Sequence, residues 1–292
     1  MIFMLSWLAQ PVNRLKRSLL NMSRIRRIAA VCAVAGVLGV AVPAAASATS
    51  LITISGATSS YPLVALLASK YVKLHPHKIR FKITQGGTTV GLNDVKNGNV
   101  TIADVAQEPN GSDAGLDFYP IAKYGICVIT NKANTLSNLT QAQVTAIFTG
   151  KTTQWNQVPG ATASGPIEVF TRTSVAGVLT SFKSLLLEGK SVEKSATEEA
   201  TEGTMRQAVE NAPAGIGFVS NYQADQGTLN SVSFNGIACN KETAAAGQYA
   251  GVAVFFEVTK GPATGAAAAF INWIDHSGAA KKIIQSQWVA IG

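Results

Sequence analysis

The sequence predicts an α/β fold of two lobes, each a mostly parallel sheet flanked by helices. Two observations carry this expectation. Short apolar runs of strand length alternate with segments of helical periodicity from residue 51 onward. This strand–helix alternation implies mostly parallel sheets. Removing a 48-residue targeting segment from the 292 residues leaves 244. That length exceeds the ~100–150 residues of a common domain, so two lobes are expected.

The targeting segment has three parts. Arg24, Arg26 and Arg27 make a basic region, residues 28–42 an apolar one, and Ala46-Ser47-Ala48 a small-residue cleavage pattern. Residues 1–48 are therefore expected to be a signal peptide, with Met22 a possible initiator and an uncleaved anchor the alternative. The apolar region is shorter than the ~20 residues of a comfortable membrane span. This segment holds six Lys and Arg and no acid, so the formal +8 of the whole chain falls to 18 basic against 16 acidic residues, or +2. The positive balance is thus no argument for nucleic-acid binding. Cys32 lies in the apolar region. Cys127 and Cys239 are left in an exported chain, as one disulfide or as two buried thiols. No His/Cys cluster has metal-ligand spacing, and neither metal nor cofactor is expected.

The elements follow in order. "LITISG" (51–56) is a strand ending in Gly56. The helix after it carries Leu63, Leu67 and Tyr71 on one face, with Ser60 as N-cap and Pro62 in the first turn. "KIRFKIT" (78–84) alternates as a strand. Thr88 or Thr89 caps a short helix that stops at Asn97-Gly98, and "VTIADVA" (100–106) is the next strand. "YGICVIT" (124–130) is an apolar strand. Thr140 and Gln143 form a capping box for a helix ending at Gly150. "PIEVFT" (166–171) is a strand, after which Ser174 caps a helix with Val178, Phe182, Leu185 and Leu186 on its apolar face. "GTMRQAVENAPAGIGFVS" reads as helix, turn and strand, and 264–284 supplies late helices.

Chemistry concentrates in three strand-to-helix junctions: "GATSSYP" (56–62), "QGGTTVG" (85–91) and "RTSVAG" (172–177). Each places hydroxyls where free backbone N–H groups open a helix, an arrangement that favours anions. Arg80, Arg172 and Arg206 are the only arginines after residue 48, and of these Arg172 alone sits in such a junction. Its guanidinium offers a bidentate fork suited to a tetrahedral oxyanion. Each junction read singly is usually an ordinary cap or surface feature; all three ending strands favours a shared anion site. Hydrolase readings are poorer. There is no G-x-S-x-G, "SVEK" (191–194) lacks its companion motifs, and "TGKTTQW" lacks the first P-loop glycine. Trp155 and Trp273 are expected in the core rather than stacked on a sugar.

These pieces, in this order, resemble the substrate-binding proteins of phosphate ABC transporters. The closest motif is "LTQAQVTAIFTGKTTQWNQV"; "GATSSYP", "GGTTVGLNDVKNGNVTIADVAQEP", "APAGIGFVS" and "GPATGAAAAFINWI" accompany it. The resemblance implies a type II periplasmic-binding-protein fold, with 51–126 and 221–292 in lobe one and 127–220 in lobe two. It implies capture of inorganic phosphate or a similar oxyanion between the lobes. The protein would be a monomer that delivers its ligand to an ABC permease, in the periplasm or at the cell surface, and not an enzyme. It places hydroxyl donors on Ser60 and Thr88, with Tyr61 and Thr89 beside them, and the anion clamp on Arg172, with Ser174 and Gly177 following.

The chain departs from the family pattern in two places. Ala176 and Val178 stand where the family has hydroxyls. The acidic acceptor of the phosphate proton, which lets such a site reject sulfate, aligns with Ala106. Asp104 is the candidate substitute, ~6.6 Å back along the strand, with Glu108 a weaker one. The alternative reading keeps the fold and makes the chain a sensor, scaffold or binder of another ligand; a secreted hydrolase is the third.

Overall fold

The computed structural model describes residues 49–291. The expected signal peptide lies outside them. The chain runs β1 (Ser50–Gly56), α1 (Tyr61–Leu74), β2 (Ile79–Gln85), α2 (Thr88–Asn97), β3 (Ile102–Val105) and the long β4 (Leu116–Asn131). It continues through β5 (Asn138–Leu139), α3 (Gln141–Phe148), β6 (Glu168–Arg172), α4 (Gly177–Leu186), β7 (Thr197–Glu199), α5 (Glu202–Asn211) and β8 (Gly215–Ser220). Then come α6 (Asn221–Ala224), β9 (Leu229–Phe234), α7 (Lys241–Ala245), β10 (Val252–Lys260), α8 (Gly265–His276) and α9 (Gly278–Gln287). The alternation expected from periodicity is present, and β5, β7, β9, β10, α6 and α7 are additional to it.

The strands order as β2-β1-β3-β10-β4-β8-β6-β7, with β9 bridging β4 and β5. Pairing is parallel among β2, β1 and β3 and among β8, β6 and β7. It is antiparallel where β4 and β10 run through the middle. β4 divides the strands into two groups. Its first part, to Gly125, pairs with β10, and its second part, from Ile126, pairs with β8 and β9.

The first change of group falls between Gly125 and Ile126, beside Cys127. The second does not fall at Ser220. β9 pairs Val232 and Ser231 with Val128 and Ile129 of β4, so the chain returns to the first group only as β10 begins. The correction has a physical cause: strand partnership is non-local, and β9 carries no signal for which half of β4 it joins. Ile126 N–H donates to the Gly251 carbonyl at 2.8 Å, so the two crossing segments are themselves paired. Cys127 and Cys239 form a disulfide next to this crossing.

The main core gathers apolar side chains from both strand groups. Phe182 stacks on Phe218 with Phe148 edge-on, and Tyr124 stacks on Phe255 across β4 and β10. Trp155 is fully buried and donates Nε1–H to the Ala214 carbonyl at 2.9 Å. Trp273 packs against Tyr71 and Phe270, so both tryptophans serve the core. Among the described residues no helix is long and apolar enough to cross a membrane, and no His/Cys/Asp/Glu group could hold a metal ion.

Candidate functional site

The segment from β1 into α1 is buried throughout, including Thr58, Ser59 and Ser60. It can lie against β3 because residue 56 is glycine. Gly56 has φ +145°, and a Cβ there would stand 2.1 Å from the Asp104 carbonyl oxygen. Ala57 N–H donates to that same carbonyl at 2.9 Å.

Helix starts among the described residues differ in how they are capped. Those of α3, α5 and α7 carry complete capping boxes, built on Thr140, Thr201 and Asn240. Those of α1, α2, α4, α6 and α8 have no side-chain cap, and α9 has a Ser277 cap without a box. Ser60 occupies the N-cap position of α1 but donates its hydroxyl to the Ala57 carbonyl at 3.1 Å. The N-cap of α2 is Gly87, not Thr88 or Thr89. That of α4 is Ala176, not Ser174. A helix start without a side-chain cap leaves backbone donors and a partial positive charge for other partners to answer.

The α2 and α4 starts meet. Thr88 Oγ1 accepts from Ala106 N–H at 3.1 Å, and Thr89 N–H donates to the Val175 carbonyl at 3.0 Å. A Cβ on Gly177 would lie 2.4 Å from Thr88 Oγ1, so glycine is required for this approach.

Arg172, at the end of β6, is 1% exposed. Its Nε–H donates to the Glu199 carbonyl, and its Nη2 donates to the Ala200 carbonyl and to Thr58 Oγ1, all at 3.0 Å. Its Nη1 lies 3.6 Å from Glu202 Oε1, and neither atom has an ordinary hydrogen-bond partner. Thr58 Oγ1 also accepts from Glu202 N–H at 3.2 Å, so both its lone pairs are used and its own proton is free to donate. Glu202 Oε2 accepts from Ser220 N–H and Oγ–H, at 2.9 and 2.7 Å. Burial pushes the Glu202 carboxyl up, and Arg172 and Ser220 hold it down. Burial lowers the Arg172 guanidinium, and Glu202 opposes that.

Asp104 is buried at the C-terminal end of β3, between Gly56 on β1 and Glu257 on β10. Burial pushes its carboxyl up to about 7, against the pull of Glu257 and Ser60. Two residues beyond Asp104, Ala106 is the centre of a web of hydrogen bonds that also holds Thr88. Its carbonyl accepts from Tyr124 Oη–H at 3.1 Å and from Ser181 Oγ–H at 3.0 Å.

Ser60, Thr88, Asp104, Arg172 and Gly177 are thus buried and connected through these contacts. Tyr61 is half-buried as the first residue of α1. Thr89 and Ser174 are exposed, so their side chains stand outside the interior; Thr89 reaches the α4 approach only through its backbone. Glu108, the weaker acidic candidate, is also exposed. Thr58, Ser181, Glu202 and Glu257 belong to the interior without having been expected there. Thr58 lay within a quoted junction. Glu257 is a lone acid inside the apolar run "VAVFFEVTK", a legible signal. Glu202 follows a helix cap, where an acid is ordinary, so nothing local marked it.

Fold and site together define an α/β protein of the periplasmic-binding-protein type, with a polar interior beside the crossing of two strand groups. Residues 43–276 match the model of the PBP superfamily domain, and the chain belongs to that family. It is 28% identical over 244 residues to the phosphate-binding protein PstS of Bacillus subtilis (strain 168), covering 82% of this chain and 80% of that one. Among solved structures it is similar to an ABC-type phosphate transport receptor from Vibrio cholerae. That similarity is 27% identity with a TM-score of 0.68, over 83% of this chain and 100% of that one. A Clostridium perfringens structure with bound phosphate, described as a phosphate ABC transporter substrate-binding protein, shares the fold. Its TM-score is 0.78 at 24% identity, over 83% of this chain and 100% of that one.

Proposed function

We propose that this chain is an exported solute-binding protein that captures inorganic phosphate, or a closely similar oxyanion, for delivery to an ABC permease. The observation that carries this reading is the buried Arg172 with its unpartnered Nη1, bonded to Thr58 just before the uncapped α1 start, together with the uncapped α2 and α4 starts that meet at Thr88 and Gly177. A tetrahedral oxyanion supplies what those backbone donors lack, and the guanidinium supplies the charge. Kinship with PstS of Bacillus subtilis and with the Vibrio cholerae receptor supports phosphate as the anion.

In this reading Arg172 Nη1, the free Thr58 proton and the Thr88 hydroxyl donate to the anion. Asp104 accepts the proton of the bound hydrogen phosphate and so replaces the acid missing at Ala106. The two strand groups act as lobes that close on the ligand, with β4 and the start of β10 as the hinge segments. The protein works as a monomer and a carrier, without turnover. Calorimetric titration of the chain lacking residues 1–48 should give one phosphate per chain, and Arg172→Ala should abolish it. Absence of binding at millimolar phosphate would overturn the reading.

A second reading has support of its own. Glu202 lies beside Arg172, and Ala176 and Val178 lack the family's hydroxyls. Both features suit a chain of the same fold that holds a different ligand, one with its own hydrogen-bond donors for Glu202. Tight binding of an uncharged or cationic solute in place of phosphate would select it.

A further inference from the structure

Asp104 and Glu257 are direct partners in the antiparallel β3–β10 pairing. Their side chains therefore leave the same face of the sheet, with Cβ atoms about 5 Å apart. They are 2% and 0% exposed. Among the described residues neither takes part in an ion pair. Asp104 Oδ1 and both carboxyl oxygens of Glu257 have no ordinary hydrogen-bond partner.

Ionisable groups on the neighbouring elements do not supply the missing charge. On β4, Tyr119 lies opposite Glu257 and its Oη accepts from Ala263 N–H; Tyr124 is committed to Ala106. On α2, Asp94 is bound by Ser55 and Asn99, and Lys96 by Ser112 and Asp113. On α1, Ser60 and Tyr61 bring no charge, and across the interior Arg172 is paired with Glu202.

Two facing carboxylates without a cation cannot both be ionised in such a place, so the pair keeps one proton. Asp104 lies next to Ser60 at the uncapped α1 start, where negative charge is favoured. Glu257 has nothing comparable. We propose that Glu257 keeps the proton and donates it to Asp104, which makes Glu257 a positioning residue that sets where the site distinguishes protonated from unprotonated oxyanions.

This inference rests on the oxyanion reading above. When Asp104 is ionised it can only accept, so hydrogen phosphate binds and sulfate meets an unanswered negative charge. When Asp104 takes up a proton it can donate, and sulfate becomes acceptable. Burial, with Asp104 opposite, drives Glu257 well above the ordinary carboxyl range, and burial pushes Asp104 up to about 7. The crossover between the two regimes therefore falls near neutrality.

The test is titration of phosphate and sulfate into the wild type, Glu257→Leu and Glu257→Gln, from about pH 5 to about pH 9. In the wild type, sulfate affinity should rise at least about tenfold from the alkaline to the acid end. Glu257→Leu removes the donor and should move the crossover up by about one pH unit or more. Glu257→Gln keeps a donor and should restore it. A crossover that neither substitution moves, or that both move alike, overturns the proposal. Should the leucine variant not fold, carboxyl 13C NMR of Asp104 in the wild type decides. Titration near neutrality is expected, and titration in the ordinary carboxylate range contradicts the pairing. No phosphate binding at any pH would reject the oxyanion reading itself, and the NMR midpoint would still judge the Asp104–Glu257 pair.

Discussion

Glu202 and Glu257 are both fully enclosed glutamates of the same interior, and their surroundings solve opposite problems. Glu202 has the Arg172 guanidinium 3.6 Å away and two donors from Ser220. Glu257 has another acid opposite it and no cation. The partners of the first favour its charged form, and the second has no partner that does. One side of the site is thus a fixed charge pair, and the other is a proton reservoir. A ligand that brings both negative charge and a proton meets a suitable partner on each side.

The largest effect should follow from removing Glu202. Glu202→Ala leaves a buried arginine uncompensated, and about 3–5 kcal/mol of stability should be lost in urea unfolding. Phosphate should restore more stability to this variant than to the wild type, because the anion replaces the missing charge. Loss without rescue would mean that Glu202 only holds the fold.

Asp104→Asn should act in the opposite direction, with a characteristic pH dependence. Burial pushes the Asp104 carboxyl in the folded chain up to about 7, from an ordinary value of 3.8. Below the ordinary value both states carry the proton and nothing is lost. As pH rises toward 7 the unfolded chain releases its proton first, so the wild type loses stability, and above 7 the loss is constant. The asparagine variant escapes this, so it should equal the wild type near pH 4 and exceed it by roughly 2–4 kcal/mol at pH 8. Its phosphate affinity should fall at the same time. Equal stability at both pH values would remove the proton reservoir from the account.

Gly177→Ala comes next. The added methyl meets Thr88 Oγ1 and would hold the α2 and α4 starts apart, costing about 1–3 kcal/mol of closure, or tenfold or more in phosphate affinity. Binding unchanged by this methyl would show that ligand capture does not need the close approach. Ser174→Ala should do least. The residue is exposed, so stability should stay within about 0.5 kcal/mol and phosphate affinity should not change.

What could be read from the sequence depended on whether the signal was local. Arg172 announced itself by rarity and position, and the Thr140–Gln143 capping box appears as expected because all its atoms lie within one turn. The same local rule misplaced Ser174. A hydroxyl before a helix looks like a cap, but the chain begins α4 three residues later at a glycine that must approach Thr88. Asp104 was visible as an acid on a strand, yet its meaning comes from Glu257 some 150 residues away, and only strand register brings them together. β9 shows the same limit, since its residues do not say which half of β4 they join. Pairing across long separations is set by the whole sheet rather than by any segment.

The central claim is that Arg172 and the uncapped helix starts hold one phosphate. Titration followed by 31P NMR at neutral pH tests it most directly. The account predicts a bound resonance saturating at one equivalent in the wild type and lost in Arg172→Gln. A single free-phosphate line throughout the wild-type titration would contradict it.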